Sequence, residues 1–185
     1  MKRTTIAFAA ATLAALISAM SCGKEDIKEK YANQENRIAS FVEKEMASND
    51  TAVLTTRGGT TRLTIVPGSG DTLSKDGTIS FYYAGYVMEG TSISASNMFA
   101  TNRKETAESA AWNLSDTTVF KIETLNLGEK SLVEGLRNGL IGMRGGDEAY
   151  ILFSGKHGFG KRQVGTIPAN AALAYHVWVE SISNE

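Results

Sequence analysis

Hydrophobic positions recur along this chain with two different periods, and the change of period divides it. From Glu25 to about Met46, apolar residues fall near helical spacing among lysines and glutamates, and no proline or glycine interrupts them. Beyond Asn49 the apolar positions alternate, as in strands that pack one face inward. The sequence therefore predicts an amphipathic helix followed by a mainly β domain.

Turn-forming residues divide the β domain into strands, with one helix among them. The predicted strands are Ala52–Thr56, Thr61–Val66, Thr78–Met88, Val119–Leu127, Glu148–Ser154 and a last strand from Leu173. Leucines that step by four predict a helix over 134–143. The long polar segment 91–118 has no sustained period and is predicted to be an inserted loop. Strands that meander around a single helix indicate an antiparallel α+β fold.

The N-terminus has the organisation of an export signal. Lys2 and Arg3 precede an apolar, alanine-rich run that ends in Ser21-Cys22 and is too short for a comfortable membrane span. A cysteine in this place resembles the lipidated cysteine of bacterial lipoproteins, although the two residues before Ser21 depart from the usual lipobox. We expect 1–21 to be a lipoprotein signal peptide and Cys22 to be lipidated. An uncleaved anchor and a plain secretory signal are the alternatives.

The predicted anchor sets the expected location and the first expected partner, the membrane. Gly23 after the cysteine resembles lipoproteins sent to the outer membrane, where the protein would face the periplasm or the cell surface. Residues 22–50 then comprise the lipidated cysteine, a linker and the amphipathic helix, and 51–185 form the β domain. The helix either lies on its own domain, or pairs two chains as a homodimer or binds another partner.

Charge and motif content argue against several classes of function. Removal of residues 1–21 leaves 17 basic and 20 acidic groups, a net charge of −3, without a basic face that would bind nucleic acid. His157 and His176 lie apart, with no carboxylate or thiolate at ligand spacing, so no metal site is predicted. Motifs for a nucleophilic serine or a phosphate-binding loop are missing from the sequence. We therefore expect no cofactor.

An ordered set of motifs carries a family resemblance. The motifs are GTISFYYAGYVMEGT (77–91), LVEGLRNGLIGMRGGD (132–147), HGFG (157–160) and TIPANAALAYHV (166–177). In this order and near these spacings, they resemble the FKBP family of peptidyl-prolyl isomerases over about residues 60–182. The resemblance implies a curled antiparallel sheet wrapped around one short helix, with the proline of a bound peptide in the groove between them.

The resemblance also implies a set of site residues. The catalytic set would be Tyr83, Val133, Phe159 and Tyr175, and the substrate-binding set would be Ile93, Ser94, Leu132, Leu136 and Ile167. The backbone N–H of Val133 would hold a substrate carbonyl. Leu136 stands for the family's tryptophan, Phe159 for a tyrosine, Ile93 for a phenylalanine and Ser94 for an aspartate, so polar groups are lost. The structural alternative for each apolar member is a place in the core.

Two functional hypotheses follow from these matches and departures. The first is a prolyl isomerase or folding factor that acts on X-Pro bonds of unfolded or nascent envelope proteins. The second is a binding module or chaperone whose altered pocket catalyses weakly or not at all. A lipoprotein of unrelated fold is the remaining alternative, and it would lack a helix at 134–143 lying across the sheet.

Overall fold

The computed structural model describes residues 4–129 and 132–185, with side chains from residue 24 onward. A long helix, α1 (Thr4–Ser48), comes first. The strands are β1 (Val53–Arg57), β2 (Thr60–Val66), β3 (Thr78–Val87), β4 (Met98–Thr101), β5 (Glu123–Asn126), β6 (Glu148–Phe153) and β7 (Leu173–Ser183), and the short helices are α2 (Lys104–Ser109) and α3 (Glu134–Leu140). Single 3₁₀ turns cover Ala95–Asn97 and Thr117–Val119. The predicted α+β class is confirmed.

The chain forms two compact units, Met1–Asn33 and Gln34–Glu185. The predicted signal peptide, 1–21, and the predicted lipidation site, Cys22, lie outside the residues whose side chains the structure describes. Within the described part of the chain, no helix combines the length and the apolar character that crossing a membrane requires. The β domain belongs to the second unit, which also includes the end of α1.

The sheet is antiparallel, with its two longest strands paired in its interior. The strand order is β1-β2-β6-β7-β3-β4, and β5 also pairs with β3. Along the outer edge of β3, β5 pairs with Thr78–Phe81 and β4 pairs with Ala84–Tyr86. The two short strands therefore lie end to end, with a break beside Tyr82 and Tyr83.

Helix α3 packs against one face of this sheet and forms the main core with it. Ile151 and Phe153 of β6 are fully buried, as is Leu140 of α3. A Cβ on Gly139 would come within 2.2 Å of the Ile151 Cγ2, so only glycine permits this close approach. Arg62 of β2 closes the end of the helix, because its Nη1 donates to the carbonyls of Gly139 and Ile141 at 2.9 Å each.

The end of α1 packs against the other face of the sheet. Ile38, Phe41 and Val42 are buried in a second hydrophobic cluster with Leu152, whose neighbours Ile151 and Phe153 face α3. This part of the helix lies on its own domain, which is the first of the two alternatives for it.

Gln34 joins α1 to the turn before β7. Its side chain is 2% exposed, its Nε2 donates to the Asn170 carbonyl at 2.7 Å, and its Oε1 accepts from the Gly155 N–H at 2.8 Å. Asn170, which ends the Ile-Pro-Ala-Asn turn, adopts the left-handed conformation with φ of 59°. One amide side chain thus satisfies buried backbone groups in two separate loops.

The predicted loop 91–118 is wrong in part, because it contains β4 and α2. These elements have four and six residues. Both are too short to show a strand or helix period in sequence. Their positions depend on pairing with β3, which the local pattern does not reveal.

We expect Gln34→Ala to lower the free energy of unfolding by about 1–3 kcal/mol, because the buried Gly155 N–H would lose its partner. The matched control is Asn36→Ala, on the exposed face of the same helix, which should stay within about 0.5 kcal/mol of the original protein. Chemical denaturation measures both. Equal stability of the two variants would show that α1 is not held by this amide.

Candidate active site

A cavity of about 210 Å³ opens between α3 and the face of the sheet on which it packs. Its wall consists of Phe81, Tyr83, Phe99, Ala100, Glu123, Leu125, Leu132, Leu136 and Tyr175. Four of the nine residues predicted from the family resemblance are therefore brought together here: Tyr83, Leu132, Leu136 and Tyr175. The wall is apolar except for two phenols and one carboxylate.

The two tyrosines come from the long paired strands β3 and β7. Tyr83 pairs with Val177 and Tyr175 pairs with Gly85, which places both side chains on one face. Their ring centroids are 6.2 Å apart, and Phe153 stacks on Tyr175 at 6.0 Å. Burial raises the pKa of both hydroxyls. Both phenols therefore stay protonated at neutral pH and can donate a hydrogen bond.

Asn102 holds the backbone of Tyr83 at the break between β4 and β5. The Tyr83 N–H donates to the Asn102 Oδ1 at 2.6 Å, and the Tyr83 carbonyl accepts from the Asn102 N–H at 3.2 Å. The Asn102 Nδ2 donates to the carbonyls of Phe81 and Lys121. A buried side chain thus replaces the missing strand pairing, a role that sequence analysis missed because no local pattern marks it.

Gly85 makes room for Phe99 beside Tyr175. A Cβ on Gly85 would lie 2.5 Å from the Phe99 Cζ and 3.2 Å from the Tyr175 Cε1. The Phe99 ring meets Tyr175 edge to face at 5.7 Å. The glycine of the Tyr-Ala-Gly motif therefore lets one aromatic wall of the cavity close over the strand.

The start of α3 supplies the opposite wall. Leu132 and Leu136 line the cavity, and Val133, the N-cap residue, packs partly buried against the main core. Among the described residues, the backbone N–H of Val133 has no acceptor. This N–H is the group that the family resemblance assigns to a substrate carbonyl.

Phe159 and Ile167 lie near the cavity rather than on its wall. Both pack against the main core, and Ile167 is 5% exposed. Thr166 and Pro168, on either side of Ile167, line a second cavity of about 250 Å³. Phe99 lines both cavities.

The structure does not place Ile93 and Ser94 on the cavity wall. Ile93 packs against the second hydrophobic cluster, and Ser94 caps the 3₁₀ turn through its contact with Ser96. The strand after that turn, β4, brings Phe99 and Ala100 to the wall instead. The turn and the short strand have no period in the sequence, so the residues that β4 brings to the wall were not predicted.

Glu123 is the one charged side chain among the described residues of the cavity wall. It pairs with Phe81 in the sheet, so it shares the inward face of Phe81 and Tyr83. Burial, and after it the charge of Glu123, raises the pKa of Tyr83. Sequence analysis missed Glu123 because it is the first residue of a short strand in a polar stretch.

The described residues contain no group of three side chains that could hold a metal ion. The cavity offers an apolar wall that carries two phenols and one carboxylate. Such a lining suits noncovalent binding of a small apolar group. The fold and the site together define a class: a small α+β domain with a cavity between its short helix and its sheet.

The comparison with protein families agrees with this class. The model of the family described as FKBP-type peptidyl-prolyl cis-trans isomerase matches residues 70–180, more than half of the chain. The chain therefore belongs to this family. Membership implies peptidyl-prolyl isomerase function.

Solved structures of the same fold are similar to the chain at low identity. The N-terminal domain of FKBP42 from Arabidopsis thaliana is 20% identical, with a TM-score of 0.53 over 71% of this chain and 93% of that one. FkpA from Escherichia coli is 16% identical, with a TM-score of 0.55 over 99% of this chain and 74% of that one. No curated protein matches the sequence. These likenesses establish the fold alone.

We expect Gly85→Ala to displace Phe99 and to lower the free energy of unfolding by about 1–3 kcal/mol, as overpacking does. Gly90→Ala is the matched control, because a Cβ there meets nothing within 4 Å. Denaturation measures the stability, and near-ultraviolet circular dichroism reports the aromatic cluster. If Gly85→Ala leaves both signals unchanged, Phe99 does not occupy this position.

Proposed function

We propose that this protein is a prolyl isomerase and folding factor of the bacterial cell envelope, tethered to the outer membrane through a lipid on Cys22. Its substrates are X-Pro bonds in unfolded or nascent envelope proteins. The observation that supports the site best is the cavity with Tyr83 and Tyr175 on one wall and Leu132 and Leu136 on the other. No cofactor takes part.

The proposed mechanism is noncovalent stabilisation of a twisted amide. Rotation about the X-Pro bond is slow because it breaks amide resonance, behind a barrier of about 18–20 kcal/mol. The twisted form has lost that resonance and its charge separation, so a weakly polar cavity favours it over the planar form. The backbone N–H of Val133 would hold a substrate carbonyl while the proline ring packs between the leucines and the tyrosines.

A binding module with weak or absent catalysis is the second candidate. Three features favour it. The resemblance puts Ser94 where the family has an aspartate, Phe159 lacks the hydroxyl of the family's tyrosine, and Leu136 replaces its tryptophan. Such a protein would bind proline-containing segments and protect them without accelerating isomerisation.

Catalysis is tested by a protease-free assay of cis-to-trans relaxation in a Leu-Pro peptide, with the full chain in detergent. We expect Tyr83→Ala to lower kcat/KM at least about tenfold, a loss of about 1.4 kcal/mol of transition-state stabilisation. Tyr82→Ala is the matched control, because Tyr82 belongs to the opposite face of β3. It should keep the original rate.

The outcomes separate the two candidates. Acceleration that only Tyr83→Ala abolishes supports the enzyme. Peptide binding without acceleration supports the binding module. If the folded protein neither binds the peptide nor accelerates its isomerisation, both candidates are contradicted.

The anchor is tested by replacing Cys22 with serine in a bacterial expression host. We expect the original protein to incorporate labelled fatty acid and to partition into the detergent phase, because stable anchoring requires acyl chains. Cys22→Ser should lose the label and leave the membrane fraction. Retention of the variant in membranes without label would favour an uncleaved anchor instead.

A further inference from the structure

One charged group interrupts the apolar wall of the cavity. Glu123 lies opposite Phe81 on the inward face of the sheet, yet its side chain remains exposed to solvent. Its carboxylate is close enough to Tyr83 to raise the pKa of that phenol further than burial alone does. Glu123 therefore lines the cavity and is at the same time accessible to water.

Glu123 has no cationic partner among the residues that the structure describes. Five ion pairs are observed there, and none includes Glu123. An exposed carboxylate loses little by being unpaired in water. If a peptide bound in the cavity, however, the Glu123 carboxylate would face the side chain next to the proline.

The wall next to Glu123 suits a long basic side chain. Leu125 lies two residues further along β5, on the same face and in the same cavity. The methylene stem of lysine or arginine can pack along such an apolar surface while its cationic end stays in water. A glutamate or aspartate of the peptide in the same position would be repelled by the negative charge of Glu123.

We propose that Glu123 selects substrates, so that the cavity prefers X-Pro or Pro-X segments in which lysine or arginine adjoins the proline. This inference rests on the proposed function, and it names the class of segment that the site takes. The preference is electrostatic, so it is larger at low ionic strength, where the screening length is about 30 Å at 0.01 M, than at 1 M, where it is about 3 Å.

The test compares peptides that differ only at the residue before or after a single proline, with lysine, glutamine or glutamate in that place. With the full chain in detergent at low salt, we expect kcat/KM to be about three- to tenfold higher for lysine than for glutamate in at least one of the two places. In 0.5 M salt the ratio should fall below about twofold.

Two variants test whether Glu123 causes the preference for lysine over glutamate. Glu123→Gln should bring the ratio of lysine to glutamate close to one. Glu129→Gln removes the same charge from an exposed residue outside the cavity wall, and it should keep the original ratio. A ratio near one in the original protein, or an equal effect of the two variants, overturns the inference.

The glutamine peptide distinguishes failure of the proposed isomerase function from failure of the charge preference. If the protein does not accelerate its isomerisation, the isomerase proposal fails, and affinities of the same labelled peptides by fluorescence anisotropy decide the charge preference. Lysine peptides that bind more tightly than glutamate peptides, with loss of the difference in Glu123→Gln, sustain the inference in a binding module. Equal affinities overturn it.

Discussion

The close contact between α3 and β6 is the constraint on which the rest of the structure depends. A helix of seven residues is not stable alone, so its conformation depends on tertiary packing. Gly135 and Gly139 leave room for Phe153 and Ile151, and a side chain at either glycine would separate helix from sheet. This close approach brings Leu132 and Leu136 to the same cavity as the two tyrosines.

Buried polar side chains then join helices, strands and turns that apolar packing alone does not fix in position. Arg62 joins β2 to the last carbonyls of α3, and Gln34 joins α1 to the turn before β7. Asn102 restores pairing where the edge of β3 is interrupted. Each of these side chains is 9% exposed or less, so each of its hydrogen bonds is largely shielded from water. The cavity wall is held by these bonds as well as by its own apolar contacts.

The parts of the fold that local patterns could reveal were those with long periods or familiar motifs. Strands β3 and β7 alternate over ten and eleven residues, and the motifs around them placed Tyr83 and Tyr175 on one wall. The short strand β4 has no such signal, because its position depends on pairing with β3, whereas β5 falls within the predicted strand Val119–Leu127 but is only four residues long. Phe99, Asn102 and Glu123 come from these strands or from the residue that follows β4. Ile93 and Ser94, which were predicted from the order of the motifs, do not line the cavity.

The lengths of the strands have a consequence for a protein proposed to handle unfolded chains. The edges of the sheet are formed by β1, β4 and β5, of five, four and four residues, and the long strands lie inside. Short or interrupted edges offer few consecutive free backbone groups to a foreign strand. An unfolded substrate bound near the cavity would therefore find few free backbone groups to pair with as an added strand. Aggregation of the substrate with this domain is disfavoured for that reason.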